Sequence, residues 1–224
     1  MHGWTPTTSR NGNSLPILDW KQNADLRSFD HLHDGTFSIS KDWTLGPVMD
    51  QGQTGSCCGH GFASALSAKY PHYSSHRAAL GFYELATSRD TYPGHWPEQD
   101  TGSSVNAVMR AGRDLTLLSA WKWCTSASAV ADAIATVGPV VIGVAWHASM
   151  DTDPGTGVLH VDTSTPVRGG HCVALRAWNA TSRLFTLRNS WGAGWANGGE
   201  TLVNFDDLQA LLTEGGEAAV PVVR

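Results

Sequence analysis

A cysteine at the boundary between a loop and a helix is the residue of this chain best suited to chemistry. Gly52, Gly55 and Ser56 mark the loop, and apolar residues recur at helical spacing after Cys57 until Pro71 ends the run. The free N–H groups and the dipole of a helix N-terminus favour an anion, so the pKa of this thiol is predicted to fall below its ordinary value of about 8.5. The thiolate is the nucleophilic form, and the position therefore predicts covalent catalysis.

A nucleophilic thiol needs a base, and a histidine-centred segment supplies a candidate. His171 lies in Gly169–Leu175, which has the pattern of a turn followed by an apolar strand. A third segment contains Asn189 in the run Asn-Ser-Trp-Gly-Ala-Gly-Trp. His171 follows Cys57 by 114 positions, Asn189 follows it by 132, and Gln51 precedes it by six.

In this order, Gln then Cys then His then Asn, the segments resemble the papain family of cysteine peptidases. That family places its His and Asn about 130–150 residues after the cysteine. The shorter spacing to His171 indicates trimmed loops rather than a different order, and the resemblance covers about residues 47–199. Taken singly, each of these residues has a commoner structural role, so it is their joint order that favours catalysis.

The resemblance implies an α+β fold. A helical half that carries Cys57 would pack against an antiparallel β-barrel-like half that carries His171 and Asn189, with the active-site cleft between them. We expect residues 1–45 to form an extended N-terminal arm and residues 46–224 to form the peptidase domain, in which about 46–120 make the helical half and about 121–224 the β half.

The resemblance also implies a role for each residue. His171 takes the thiol proton to give a thiolate–imidazolium pair, and the amide oxygen of Asn189 holds the imidazole ring. Trp191 would cover that contact and keep water away from it. The side-chain amide of Gln51 and the backbone N–H of Cys57 would face the oxyanion, and acyl transfer would proceed through a thioester.

Substrate contacts are expected around a second helix start. In the family a glycine before this helix offers backbone hydrogen bonds to an extended peptide, and Gly102 fits, although it could also be only a turn residue. Ser103 and Ser104 would then line the main specificity pocket. The remaining candidate substrate-binding residues are Gly143, Gly170, Cys172 and Trp191.

The hydrophobic pattern predicts the elements that position these residues. Helices are expected over 75–89, 105–111, 128–137 and 206–212, and strands over 140–146, 173–178, 184–188, 200–203 and 218–223. Ser104 is a plausible N-cap of the helix that begins at Val105.

Composition excludes several classes of function. The net charge is −5 and no basic run occurs, so neither nucleic acid nor a membrane is an expected partner. His31, His33 and Asp34 lack further ligands at zinc-site spacing, so we expect no metal and no cofactor. No apolar run is long enough to cross a membrane and no signal peptide is evident, which favours a cytoplasmic or virion-associated protein.

The four cysteines do not suggest a disulfide framework, because Cys57 and Cys58 are adjacent and Cys172 neighbours the candidate base. Many papain relatives bridge a cysteine three residues before the nucleophile, where this chain has Thr54. Cys57 rather than Cys58 is the expected nucleophile, since counting back six residues from Cys58 reaches Gly52 instead of Gln51.

Three functions remain open on these residues. The first is a peptidase that cleaves extended polypeptides. The second is a catalytically silent papain-like peptide-binding or virion protein, and the third is the same acyl-transfer chemistry on isopeptide or cell-wall peptide bonds. The oligomeric state is left open.

Overall fold

The computed structural model describes residues 36–151 and 156–224, and within them α-helices pack on both sides of one sheet. The helices are α1 Cys57–Leu66, α2 His76–Thr87, α3 Val105–Asp114, α4 Ala127–Thr136 and α5 Phe205–Thr213. The strands are β1 Lys41–Asp42, β2 Leu118–Trp123, β3 Val140–His147, β4 Val167–Asn179, β5 Leu184–Arg188, β6 Glu200–Asn204 and β7 Glu217–Val223.

Serine side chains begin three of the helices. Ser75, Ser104 and Ser126 each accept a hydrogen bond from the backbone N–H three residues further on, at the starts of α2, α3 and α4. Such N-caps satisfy donors that the helix itself leaves unpaired. The predicted helices and strands are present, with boundaries that shift by a few residues.

The sheet is antiparallel and open. Its strand order is β2-β7-β3-β4-β5-β6, with β1 paired beside β4. The predicted α+β architecture is present, but the sheet is not closed into a barrel, because β2 and β6 lie at opposite ends of this order. The long strand β4 pairs first with β3 and then with β5, so it joins the two parts of the sheet.

Two hydrophobic cores lie on either side of the central strands. One packs α1, α2 and α3 against the sheet and includes Phe62, Tyr83 and Val141. The other packs α4 and α5 against the sheet and includes Ile142 and Trp146. Adjacent residues Val141 and Ile142 face different cores because side chains alternate along a strand. Helix α1, which begins at Cys57, is thus held against the sheet from one side.

Two details depart from the sequence-based expectations. Strand β2 was not predicted, and β4 begins at Val167, six residues before the expected strand. Within the described part of the expected arm, Lys41–Asp42 pair with β4 and the indole N–H of Trp43 donates to the carbonyl of Ile134 at 2.8 Å. The rest of that arm, with His31 and His33, lies outside the described residues, and the domain boundaries stay a prediction.

Candidate active site

The nucleophile candidate lies at the first residue of α1. Ser56 at the N-cap makes no side-chain capping bond there, and the thiol of Cys57 accepts from the backbone N–H groups of Cys57 and Cys58. The backbone N–H of Cys172 in β4 also donates to this sulfur. The helix N-terminus and the sheet therefore meet at the Cys57 sulfur.

The adjacent cysteine is placed differently. Cys58 is 0% exposed and belongs to the core beneath α1, whereas Cys57 is partly exposed. Successive helical residues point about 100° apart, so the two thiols cannot face the same side. Of the two, Cys57 is the thiol that a substrate can reach.

His171 and Asn189 are in direct contact. The Nε2–H of His171 donates to Oδ1 of Asn189 at 2.8 Å, and the backbone N–H of Ser190 donates to the same oxygen at 2.7 Å. Both side chains are buried. A proton on Nε2 makes Nδ1 the basic nitrogen of the neutral ring, which is the tautomer a general base requires.

Tryptophans enclose the His171 ring. Trp191 stacks on it with ring centroids 4.6 Å apart, and Trp146 meets it edge-on at 5.0 Å. Trp195 contacts both tryptophans. The ring is thus held in place by aromatic surfaces, and Trp146 is a neighbour that the sequence motifs did not indicate.

Gln51 lies beside Asn189 because two chain segments pair there. The backbone N–H of Gln51 donates to the carbonyl of Ser190 at 2.8 Å, and Asp50 forms a bridge with Trp191. The Gln51 side chain is 3% exposed, and its Nε2 donates to the carbonyl of Thr54 at 2.7 Å. The hydroxyl of Ser190 donates to its Oε1 at 2.6 Å. These bonds fix which end of the amide faces which way, and one hydrogen on Nε2 remains for another acceptor.

The pKa values of Cys57 and His171 differ from the sequence-based expectation. Burial raises the pKa of Cys57 to about 11, against the opposing hydrogen bonds from three backbone N–H groups. Burial likewise lowers the pKa of His171 to about 4, with Asn189 opposing and the nearby His60 adding a smaller decrease. The expected lowering of the thiol pKa is therefore wrong for the unoccupied site, because removal from water outweighs the helix N-terminus.

The predicted substrate-binding residues just before α3 lie close together, but their polar groups already make hydrogen bonds. The N–H of Gly102 donates to the hydroxyl of Tyr83 at 2.9 Å, and its carbonyl accepts from Thr101. Ser103 donates to Asp90 at 2.6 Å, and the hydroxyl of Ser104 caps α3. A substrate main chain could use the second lone pair of the Gly102 carbonyl without breaking a bond.

The other candidate substrate residues lie on neighbouring strands. Gly143 in β3 pairs with Cys172 in β4, and Ala145 pairs with Gly170. Gly143 and Gly170 are half-buried, whereas Cys172 is buried in the helix-side core. Strand register thus places Cys172 at the Cys57 sulfur, Gly143 directly opposite Cys172, and Gly170 two residues before Cys172 along β4.

One carboxylate joins the two loops around the site, and sequence reasoning missed it. Asp100 accepts from the N–H of Gly55 at 2.8 Å and from the hydroxyl of Tyr83 at 2.5 Å. Tyr83 in turn accepts from Gly102. Since Gly55 lies two residues before Cys57, Asp100 connects the loop before α1 to the loop of the candidate substrate residues before α3. Only the position of Asp100, two residues before the candidate substrate-binding Gly102, could have suggested it.

Within residues 36–151 and 156–224, no group of three or more His, Cys, Asp or Glu side chains is arranged to hold a metal ion. None of the four cysteines is in a disulfide. None of the described helices has the length and apolar character needed to cross a membrane.

No protein-family model matches the chain, and no curated protein matches it in sequence. Solved structures do match its fold. Xylellain, a cysteine protease from Xylella fastidiosa, is 14% identical with a TM-score of 0.68 over 86% of this chain and 90% of its own. A structure from work on the mite allergens Blo t 1 and Der p 1 is 18% identical, with a TM-score of 0.70 over 96% of this chain and 80% of its own.

Digestive procathepsin L 3 from the larval midgut of Tenebrio molitor is also similar, at 16% identity and a TM-score of 0.62 over 98% of this chain and 77% of its own. These matches and the α+β architecture confirm the predicted papain-like fold. The chain has the fold of the papain-like cysteine peptidases, with an open sheet in place of a closed barrel.

Proposed function

We propose that this protein is a cysteine peptidase of the papain type, in which Cys57 is the nucleophile and His171 the base. The observation that carries the proposal is the meeting of α1 and β4 at one sulfur. Cys57 begins α1, accepts from the N–H of Cys172 in β4, and so lies next to the His171–Asn189 pair. The fold supports the same assignment.

The first step moves a proton and forms a bond. The Cys57 sulfur attacks the substrate carbonyl carbon while its proton passes to Nδ1 of His171, which gives an imidazolium held by Asn189. In the unoccupied site burial favours the neutral thiol and the neutral imidazole. The ion pair therefore depends on the attraction between the two charges and on the backbone donors at the sulfur.

The second step needs hydrogen-bond donors for the oxyanion that forms on the substrate carbonyl oxygen. The remaining N–H of the Gln51 amide and the backbone N–H of Cys57 stabilise the oxyanion. His171 then gives its proton to the leaving amine, and a thioester on Cys57 remains. Water, deprotonated by His171, hydrolyses the thioester and restores the thiol.

The substrate we propose is a polypeptide in an extended conformation. The partly exposed Cys57, Gly102 and Gly143 lie along the junction of the helical layer and the sheet, where an added strand could lie. The same four side chains would also act on isopeptide or cell-wall peptide bonds, and no contact among residues 36–151 and 156–224 favours those substrates.

Active-site labelling tests the proposal. An epoxide inhibitor directed at thiols should modify reduced protein once, on Cys57, and Cys57→Ala should abolish both labelling and turnover. Cys58→Ser is the matched control, since a thiol that is 0% exposed should contribute to stability rather than to turnover. An adduct on Cys58, or turnover by Cys57→Ala, would show that the assignment is wrong.

A peptide-library cleavage profile, followed by an assay on peptidoglycan, then separates the substrate classes. Cleavage of linear peptides alone supports the peptidase. Labelling without cleavage of any substrate would favour a binding protein that keeps a reactive thiol.

A further inference from the structure

Two further cysteines lie beside the candidate nucleophile. Cys58 follows Cys57 directly, and the backbone N–H of Cys172 donates to the Cys57 sulfur. None of the three is in a disulfide. The proposed hydrolysis of a peptide needs only the Cys57 sulfur, and it leaves the other two thiols without a role in the chemistry.

The Cys172 side chain lies against the helix that begins at Cys57. A Cβ at Gly61 would lie 3.3 Å from the Cys172 sulfur, and Gly61 comes four residues after Cys57 on the same face of α1. The Cα of Cys172 is bonded to the nitrogen whose hydrogen contacts the Cys57 sulfur. The backbone N–H and the thiol of Cys172 therefore both contact the face of α1 that carries Cys57.

This arrangement suits a disulfide bond between Cys57 and Cys172. Disulfides join residues whose Cα atoms are roughly 4.4–6.8 Å apart, and a cysteine redirects its sulfur by rotation about χ1 alone. Gly61 contributes no Cβ to the space beside the Cys172 sulfur, so that sulfur can turn along α1 towards Cys57.

Cys58 is not placed to be the partner of Cys57. Its side chain points about 100° away from that of Cys57 around the helix axis, and its thiol makes a hydrogen bond with the side chain of Ser103 before α3. The Cα atoms of adjacent residues are only about 3.8 Å apart, which is shorter than the span of an ordinary disulfide. Cys172 is therefore the thiol positioned to react with Cys57.

We propose that Cys57 and Cys172 form a reversible oxidation site, in which Cys172 resolves an oxidised Cys57 by forming a disulfide with it. The inference rests on the proposed function, because the proton transfer from Cys57 to His171 that activates the sulfur towards a carbonyl also activates it towards a hydroperoxide. Cys57 is partly exposed, so a peroxide reaches it, whereas Cys172 is 4% exposed and is reached only from within the protein.

The reaction takes two steps and consumes one hydroperoxide. The Cys57 thiolate attacks the terminal peroxide oxygen and the O–O bond breaks, which gives a sulfenic acid on Cys57. The departing oxygen takes the proton from His171 and leaves as an alcohol or as water. The Cys172 sulfur then attacks the Cys57 sulfur, and its proton leaves with the sulfenic hydroxyl as water. An external dithiol supplies two electrons and two protons, breaks the disulfide and restores both thiols.

The charges at the site favour this order of events. Burial raises the pKa of the Cys172 thiol well above its ordinary value, and charge on Cys57 and Cys58 raises it further. Cys172 therefore stays a thiol and does not compete for the oxidant. Once Cys57 is a neutral sulfenic acid, its charge no longer opposes loss of the Cys172 proton. The resulting bridge stops peptide hydrolysis and protects Cys57 from irreversible oxidation to the sulfinic acid.

Mass spectrometry tests the oxidation site without any substrate. Reduced protein is treated with hydrogen peroxide, its remaining thiols are alkylated after unfolding, and it is digested without reductant. We expect a linked pair of peptides that contain Cys57 and Cys172, formed at a rate that does not depend on protein concentration. The linkage should be lost in Cys172→Ser. It should persist in Cys58→Ser, whose thiol contacts Ser103, and in Cys124→Ser, whose thiol lies in the core on the other side of the sheet.

Recovery of activity tests the protective role. Each variant is treated with peroxide and then with dithiothreitol, and its activity is compared with its own untreated activity, so a change in starting turnover does not affect the result. The parent protein should regain most of its activity, whereas Cys172→Ser and Cys172→Ala should regain little and should carry a sulfinic acid on Cys57. Two substitutions are used because both remove the thiol and one of them could disturb folding.

The outcomes separate the oxidation site from the peptidase. Linkage of Cys57 to a different cysteine, linkage between two molecules, or equal recovery with and without the Cys172 thiol would overturn the oxidation site while the peptidase stands. A Cys57–Cys172 bridge in a protein whose reduced form cleaves no substrate would overturn the peptidase and keep the oxidation site.

Discussion

The hydrogen bond from Ser190 to Gln51 should control how well the oxyanion is stabilised. Removal of the Gln51 amide in Gln51→Ala deletes one oxyanion donor, which typically costs about 10²–10³ in turnover. Ser190→Ala leaves the amide in place but frees Oε1, while Nε2 keeps its 2.7 Å bond to Thr54. Loss of one buried neutral hydrogen bond is worth about 1–1.5 kcal/mol, so Ser190→Ala should lower kcat by about tenfold.

The assay is a double-mutant cycle on kcat with a single peptide substrate. If Ser190 acts by orienting the amide, the Ser190→Ala change should cost little more once Gln51 is already alanine. Affinity for a substrate-like inhibitor should stay nearly unchanged in each variant, because the amide acts mainly on the oxyanion. Gln53→Ala, at an exposed position four residues before Cys57, is the control and should be mild.

Equal costs of Ser190→Ala in the two backgrounds would refute the reasoning, since Ser190 would then act independently of Gln51. Parallel losses of inhibitor affinity and kcat in Gln51→Ala would mean instead that Gln51 supports the structure of the loop.

Three further predictions follow from the buried charges and hydrogen bonds. With the pKa of Cys57 raised to about 11 and that of His171 lowered to about 4, the ultraviolet absorbance of a thiolate should be absent near neutrality in protein without added substrate and should rise only in strong alkali. A large absorbance step near pH 4 that Cys57→Ala removes would show a resting ion pair instead. Both ring nitrogens of His147 face acceptors, the carbonyl of Thr165 at 2.9 Å and Glu214 at 2.7 Å, and these bonds raise its pKa although burial opposes the charge. The His147–Glu214 ion pair contributes its full stabilisation below the unfolded-state pKa of about 6.5, and this stabilisation is lost as pH rises through the raised pKa of the folded state. Glu214→Gln should therefore lower the free energy of unfolding, measured in urea, by about 1–2 kcal/mol at pH 5.5 and by less at pH 9. Equal costs at both pH values would exclude a charged pair. Asp100→Ala should lower kcat/KM by about tenfold or more, because the hydrogen bonds to Gly55 and Tyr83 are lost. Asp100→Asn should keep part of the activity. Unchanged kinetics in Asp100→Ala would exclude a positioning role for Asp100.

Local sequence patterns were sufficient to predict most of the helices and strands. Apolar periodicity predicted α2, α3 and α4, and Ser104 was predicted as the N-cap of α3, because capping and amphipathic spacing act within a few residues of the chain. The caps Ser75 and Ser126 were not predicted. The order of Gln51, Cys57, His171 and Asn189 predicted a papain-like fold, which the solved structures confirm. The strand β2 was missed because its partner β7 lies about a hundred residues further along the chain.

Only the tertiary structure determined the pKa values at the site and the residues that support it from behind, such as Asp100. The helix N-terminus at Cys57 was visible in the sequence, but the burial that reverses the expected direction of its pKa depends on how α1 packs against β4. Asp100 carries no motif, and it gains its position from a loop contact with Gly55 that closes over a long separation in sequence. Residue types determine which chemistry is available to this chain, whereas the distances that permit that chemistry, and the removal of water that sets the charges, exist only in the packed molecule.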